Sequence, residues 1–203
     1  MARTEMQRES FRQLEWALSF SQLDLAGWSK NQMQRVDYEL VTFIQKAHGA
    51  VSDFVPSFLA SKGYKGSFRD LQKGIESRFT NLAEMASVRV VGDKGIENAR
   101  ISSASFPVDG TIDILAIDGE PYRQMIKAKG PATKVFAALA SHLLVSGIVA
   151  GQIRRCPECG KIFLLKVKPQ PDRDFHCSTK CTNRATFRRY KDKQTERGKR
   201  SSK

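Results

Sequence analysis

No run of about 18 or more uncharged apolar residues occurs in the sequence, which excludes a transmembrane helix from the expectations. The opening stretch, MARTEMQRESFRQLEW, lacks the apolar core of a secretory signal, so the chain is expected to be cytoplasmic, with no membrane partner. Cysteine is scarce, four in 203 residues, and in a reducing compartment closely paired cysteines more often bind metal than each other. Histidine is scarcer, at three. There is no H-E-x-x-H and no G-x-x-x-x-G-K-[ST]. His48 and His142 sit in helical stretches where a packed or surface role is ordinary, and Asp113 and Asp118 lie at a hairpin and need no catalytic role. An enzyme is therefore not expected.

What is present is apolar content of 40%, enough for a real core in one ordinary domain plus a small appendage. The positive charge is unevenly placed. Residues 154–203 hold 16 Lys and Arg against 5 Asp and Glu, so +11 of the chain's +13 lies in its last quarter. A polyanionic partner, nucleic acid before membrane, is the leading explanation, and a merely solubilising tail is the plain alternative.

The first 90 residues read as helical. Phe11, Leu14 and Leu18 form one stripe, Met33, Val36, Leu40 and Phe43 a second, and Phe68, Leu71, Ile75, Phe79, Leu82 and Ala86 a third; all are read as core. Gly49, Pro56, Gly63 and Gly66 punctuate them. Residues 99–129 change period: Ile101–Val108, Thr111–Ile117 and Tyr122–Ala128, separated by Asp109-Gly110 and by Asp118–Pro121, predict a three-stranded antiparallel meander. Ala132–Val149, after Gly130-Pro131, is apolar almost all round and predicts a buried helix. Composition shifts near residue 150. The expected organisation is a helical α+β domain over 1–150 that senses a ligand or dimerises, a finger over 151–193, and a disordered basic tail over 194–203.

Cys156-Pro-Glu-Cys159-Gly160 is a C-x2-C turn with Pro and Gly where a tight knuckle wants them, and its backbone N–H groups can point at the thiolates. Seventeen residues later Cys177 and Cys181 form C-x3-C. Two close cysteine pairs suit one tetrahedral structural Zn²⁺ held by Cys156, Cys159, Cys177 and Cys181, with no open coordination position. Free buried thiols or a redox pair are the alternatives. Lys161–Lys168 reads as a strand, Pro169–Asp172 as a turn, and Arg173–His176 as a returning segment. A helix then begins near Cys177, with Ser178 or Thr179 serving its first turn. Knuckle, hairpin and a helix bearing the second ligand pair make a treble-clef-like arrangement. His176 is left out of the ligand set, because adjacent residues seldom both ligate one tetrahedral ion.

Arg154-Arg-Cys-Pro-Glu-Cys-Gly-Lys-Ile-Phe163 and His176-Cys-Ser-Thr-Lys-Cys-Thr-Asn-Arg184, ending in Phe187-Arg-Arg-Tyr190, resemble the CGNR zinc-finger family. That family carries two basic residues, C-x2-CG-x2-F, then CS-x2-CGNR and a basic helix. The finger follows a mostly helical domain called ABATE, and the proteins are regarded as stress-responsive transcription regulators. The resemblance implies zinc ligation by the same four cysteines and gives Asn183 and Arg184 the place of the family's Asn-Arg. Thr182 stands where the motif has Gly, His176 where Trp is usual, and Leu164, Leu165 and Lys166 follow Phe163 without the expected acid. The resemblance covers about 40 of the 203 residues.

Helical spacing assigns the basic helix three kinds of residue. Arg184 starts on the metal side, where a bond to a thiolate or a knuckle carbonyl and a phosphate contact weigh equally. Phe187 and Tyr190 are expected to pack on the hairpin around Phe163. Arg188, Arg189, Lys191, Lys193, Arg197, Lys199 and Arg200 are, with Arg184, the candidates for nucleic-acid contacts; such contacts fix position and carry little sequence information. The expected fold class is α+β: a mostly helical N-terminal domain with a small antiparallel meander, then a treble-clef-like four-cysteine finger and a basic tail. The expected function is a zinc-finger DNA-binding transcription regulator. An RNA- or ribosome-associated zinc protein and a protein–protein adaptor are the alternatives, and a protein partner or homodimer through the N-terminal domain is a further possibility.

Overall fold

The computed structural model describes residues 4–47, 64–84, 86–92, 95–101, 104–106, 110–115, 123–128, 131–149, 151–167 and 174–201. Its elements run α1 (Glu5–Ser21), α2 (Lys30–Gln45), α3 (Tyr64–Ala83), β1 (Ala86–Gly92), β2 (Gly95–Ile101), β3 (Gly110–Leu115), β4 (Arg123–Ala128), α4 (Pro131–Val145), β5 (Ile153–Arg155), β6 (Ile162–Leu164) and α5 (Thr179–Ser201). They fall into two compact units, Met1–Asn81 with Ser103–Val149, and Leu82–Ser102 with Ala150–Lys203. No helix among the described residues is long and apolar enough to cross a membrane.

In the first unit, α1 and α2 each begin on a reciprocal cap. The Thr4 hydroxyl accepts the Gln7 N–H at 3.2 Å while the Gln7 side chain accepts the Thr4 N–H at 2.9 Å. Ser29 and Gln32 repeat the arrangement. Two amide donors that a helix start would leave orphaned are thereby satisfied at each end. The apolar stripes then bury as their spacing requires: Phe11, Leu14 and Leu18 from α1, Met33, Val36, Leu40 and Phe43 from α2, and Phe68, Leu71, Ile75 and Phe79 from α3. The α1 carbonyls of Phe20 and, just beyond, Leu23 accept the Gln72 side-chain amide at 2.7 and 3.0 Å.

Aromatic packing joins these helices. Trp16 stacks on Phe20 and meets Phe43 at 5.2 Å between ring centres, with its indole N–H donating to Glu39. His142 of α4 is fully buried against Phe43, and its Nε2 lies 3.1 Å from the Phe43 carbonyl oxygen. Of the packed or surface role expected of His142, the structure gives it the packed one; His48 lies outside the described residues. Helix α4 begins at Pro131 and buries Val135, Ala137, Ala138 and Leu139. It is not buried all round as expected, since Leu144 is 81% exposed.

Among the described residues of this unit, Glu9 carries the carboxyl with a clear shift. Hydrogen bonding from the Lys46 ammonium, then from the Gln13 amide, holds its pKa at about 2, below the ordinary 4.5. A depressed folded-state value means that the stabilisation is complete above about pH 4.5 and is lost as pH falls toward 2. Urea unfolding midpoints followed from pH 5 down should fall through that window, and Lys46→Gln should flatten the fall. An unchanged slope in the variant would count against this ion pair as the cause.

The strands depart from the expected meander. β1 pairs antiparallel with β2, Ala86 opposite Ile101 and Gly92 opposite Gly95, while β3 pairs with β4, Gly110 opposite Ala128 and Leu115 opposite Arg123. These are two separate two-stranded sheets rather than one of three strands. The strand expected over 101–108 ends at Ile101 instead, and 104–106 carry no strand. Pro107 has no N–H to give a ladder, whereas Val88, Val90 and Val91 are β-branched and suit one. Ala86 had read as the last member of the α3 stripe; it opens β1. The Asp118–Pro121 turn lies outside the described residues.

Candidate metal centre

In the second unit a short hairpin sets the first pair of cysteines. Ile153 lies opposite Leu164 and Arg155 opposite Ile162. Gln152 extends the pairing by accepting the Leu165 N–H on its carbonyl and donating its side-chain amide to the Leu165 carbonyl, at 2.8 and 3.0 Å. Ile153, Ile162 and Leu165 are buried beneath it. Between the strands the chain reverses: the Cys156 N–H donates to the Lys161 carbonyl and the Gly160 N–H to the Cys156 carbonyl. Gly160 sits at φ +72°, the left-handed conformation that glycine adopts without strain. The two basic residues before the knuckle brace it. Arg154 donates to the Gly151 carbonyl and stacks over Phe175. Arg155 donates to the Gly160 carbonyl and pairs with Glu84.

The second pair of cysteines is set by the start of α5. Ser178 caps it, its hydroxyl accepting the Cys181 N–H at 3.3 Å and its carbonyl the Thr182 N–H at 3.0 Å. Cys177 precedes the cap, and Cys181 sits in the first turn, where the helix favours negative charge. Cys181 and Ala185, one turn apart, are the buried residues of the helix over 179–195.

The four sulfurs of Cys156, Cys159, Cys177 and Cys181 all lie within 4.8 Å of one another. Cys159 and Cys177 are 3.4 Å apart, Cys177 and Cys181 3.7 Å. Four thiolates at about 2.3 Å from a tetrahedral ion would stand about 3.8 Å from each other, so the cluster has the size and donor set to hold one metal ion. Its electrostatics favour one too. Burial pushes the Cys156 thiol up, but N–H groups of Cys177, Glu158 and Cys159 aimed at its sulfur outweigh this and bring it to about 6. Cys177 is pushed up to about 12, by burial first and then by its cysteine neighbours. One thiolate is thus stabilised and a second opposed, a conflict that a divalent cation removes.

The remaining basic candidates separate into distinct roles. Arg188 forms an ion pair at 2.9 Å with Glu158, whose side chain is 6% exposed, and so ties α5 to the knuckle. Arg189 pairs with Asp174. Arg184 and Lys193 are exposed and make no hydrogen bond or ion pair among the described residues. Lys191 lies over the Phe187 ring at 4.9 Å. The packing expected of Phe187 and Tyr190 does not occur: they are 59% and 60% exposed. The buried positions are Cys181 and Ala185, with the exposed Arg188 continuing their line to reach Glu158, and both aromatics fall outside it. Nor does the chain lose order at residue 194. α5 continues to Ser201, because Gln194, Glu196, Arg197, Lys199 and Arg200 are good helix formers and no proline interrupts them. Arg197, Lys199 and Arg200 lie on that last stretch.

Of the expected finger, the knuckle and the helix beginning beside Cys177 and carrying Cys181 are present. The strand after the knuckle, however, pairs with the one before it, and 174–176 carry no strand. The turn expected at Pro169–Asp172 lies outside the described residues. The spacing argument missed Glu158 and Asp174. A signal for the first exists: Arg188 stands seven residues beyond Cys181, hence on the metal face of the helix, and Glu158 is the one acid inside the knuckle.

No protein-family model, curated protein or solved structure matches this chain.

Proposed function

We propose that the protein is a zinc-dependent nucleic-acid-binding protein, a DNA-binding transcription regulator in which the cluster of four cysteines holds Zn²⁺. The observation that carries this reading is the placement of the cysteine cluster at the head of a helix whose exposed positions include Lys180, Arg184, Lys191 and Lys193. Zinc suits the site because it accepts four sulfur ligands in a tetrahedron without demanding an open position. The role of the metal is then to fold the module, and α5 presents the cations to a phosphate backbone. The resemblance to CGNR fingers supports DNA over RNA. The exposed aromatic side chains favour, as a second reading, an RNA-associated protein.

The test is purification of the metal-loaded chain, metal analysis, and sequencing of the nucleic acid that accompanies it. One zinc per chain with enriched DNA sequences is the expected result. Co-purifying RNA with no DNA would select the second reading, and zinc-loaded protein with no affinity for either polymer at physiological salt would make the finger a protein-docking module.

A further inference from the structure

Helix α5 has two exposed stripes that the metal centre does not use. Asn183, Phe187, Tyr190 and Gln194 follow at steps of four, three and four and so share one face. Lys180, Arg184, Phe187 and Lys191 have the same spacing and lie on the adjoining face. All seven of these side chains are exposed. Of the helix's two acids, Asp192 and Glu196, Asp192 continues instead the line of Cys181, Ala185 and Arg188, and Glu196 extends that spacing by four residues. The helix therefore offers outward a pair of aromatic rings bordered by cations on one edge and by carboxamides at both ends, with Asp192 on a different line of the helix.

Two exposed rings have a cost in water, and what they lack says what would cover them. Neither stripe contains an aliphatic residue. A protein groove that accepts a helix reads branched and unbranched aliphatic anchors at this spacing. Rings without aliphatics, interleaved with positive charge, match a partner that is both planar and anionic. Paired bases in a continuous duplex offer no free π-face, so the match is to unpaired ones. We infer that α5 binds single-stranded nucleic acid, with Phe187 and Tyr190 stacking on unpaired bases and Lys180, Arg184 and Lys191 following the phosphates. Lys191, already over the Phe187 ring at 4.9 Å, places a cation beside the base that this ring would receive. The Tyr190 hydroxyl accepts from Gln194 at 2.8 Å, which steadies the second ring without burying it.

The inference rests on the nucleic-acid reading above and narrows it to a strand state. It is tested with the zinc-loaded full chain and three fluorescent probes: a short oligothymidine, a short oligouridine and a mixed-sequence hairpin duplex. The single strands should bind more tightly than the duplex. Phe187→Ala and Tyr190→Ala should each weaken single-strand binding by roughly tenfold, with the salt dependence, the duplex affinity and the zinc content unchanged. Phe187→Trp should keep the affinity. A preference between oligothymidine and oligouridine supports the inference either way and tells DNA from RNA. Equal binding of strand and duplex, untouched by either alanine, overturns it and leaves the broader reading standing. Loss of a protein partner in the alanine variants, with single-strand affinity intact, also overturns it. Failure of the metal-loaded chain to bind any probe removes both.

Discussion

Cys159→Ser is expected to abolish metal binding and to unfold the finger while the first unit stays helical. The reason lies in how little else holds the module. Among the described residues its buried apolar side chains are Ile153, Ile162, Leu165 and Ala185, together with two of the cysteines themselves. So few residues cannot offset the ordering of a hairpin, a loop and a long helix. Structural zinc in comparable modules contributes about 10–16 kcal/mol, which is the folding energy outright. Serine keeps the size of the side chain and removes the thiolate, so the effect isolates ligation from packing. Metal content should fall from one ion per chain to none, and amide exchange across 151–167 and the first turns of α5 should become fast. Chelation of the wild-type chain should reproduce both. A Cys159→Ser protein that still holds one zinc would show that the four-sulfur assignment is wrong.

Phe43→Ala should destabilise the first unit by about 3–5 kcal/mol, a large part of the roughly 5–15 kcal/mol that a domain has in total. Phe43 is fully buried, and its ring lies between Trp16 and His142, so its loss leaves a hole lined by large rings that cannot close over it. The His142 hydrogen bond goes to the Phe43 carbonyl, which the substitution leaves in place. The loss is therefore one of packing. The urea midpoint of the first unit should drop sharply while the zinc content stays at one. A loss under about 1 kcal/mol would mean that the surrounding rings repack.

Much of the fold was legible because two periodicities are strong. The three helical stripes and the Pro131 helix start follow from spacing alone, and so does the pairing of C-x2-C with C-x3-C. The strands were harder. Ala86 satisfies the helical spacing of α3 and the first position of β1 equally well, and only the pairing of Ala86 with Ile101 decides between them. Local pattern cannot see a partner fifteen residues away. The finger's helix shows a different limit. Phe187 and Tyr190 read as core because aromatics usually are, yet the buried positions are Cys181 and Ala185, and the exposed Arg188 reaches from the same side to Glu158. The cysteine cluster lies on the side of α5 that turns inward, and the large aromatics do not. Glu158 was invisible for the same reason: its partner, Arg188, lies thirty residues on.

The second unit is assembled from two lengths of chain, Leu82–Ser102 and Ala150–Lys203, with all of Ser103–Val149 threaded between them. On a ribosome the β1–β2 hairpin emerges first and must wait for those intervening residues before β5 and the first cysteine appear. At about 5–20 residues per second that interval is roughly 2–10 s. The Glu84 that pairs with Arg155 is thus made well ahead of its partner, and the last cysteine of the cluster, Cys181, follows later still. The four-cysteine cluster is for this chain a late product of biosynthesis, and a nascent chain halted before residue 181 would carry the hairpin with the cluster incomplete.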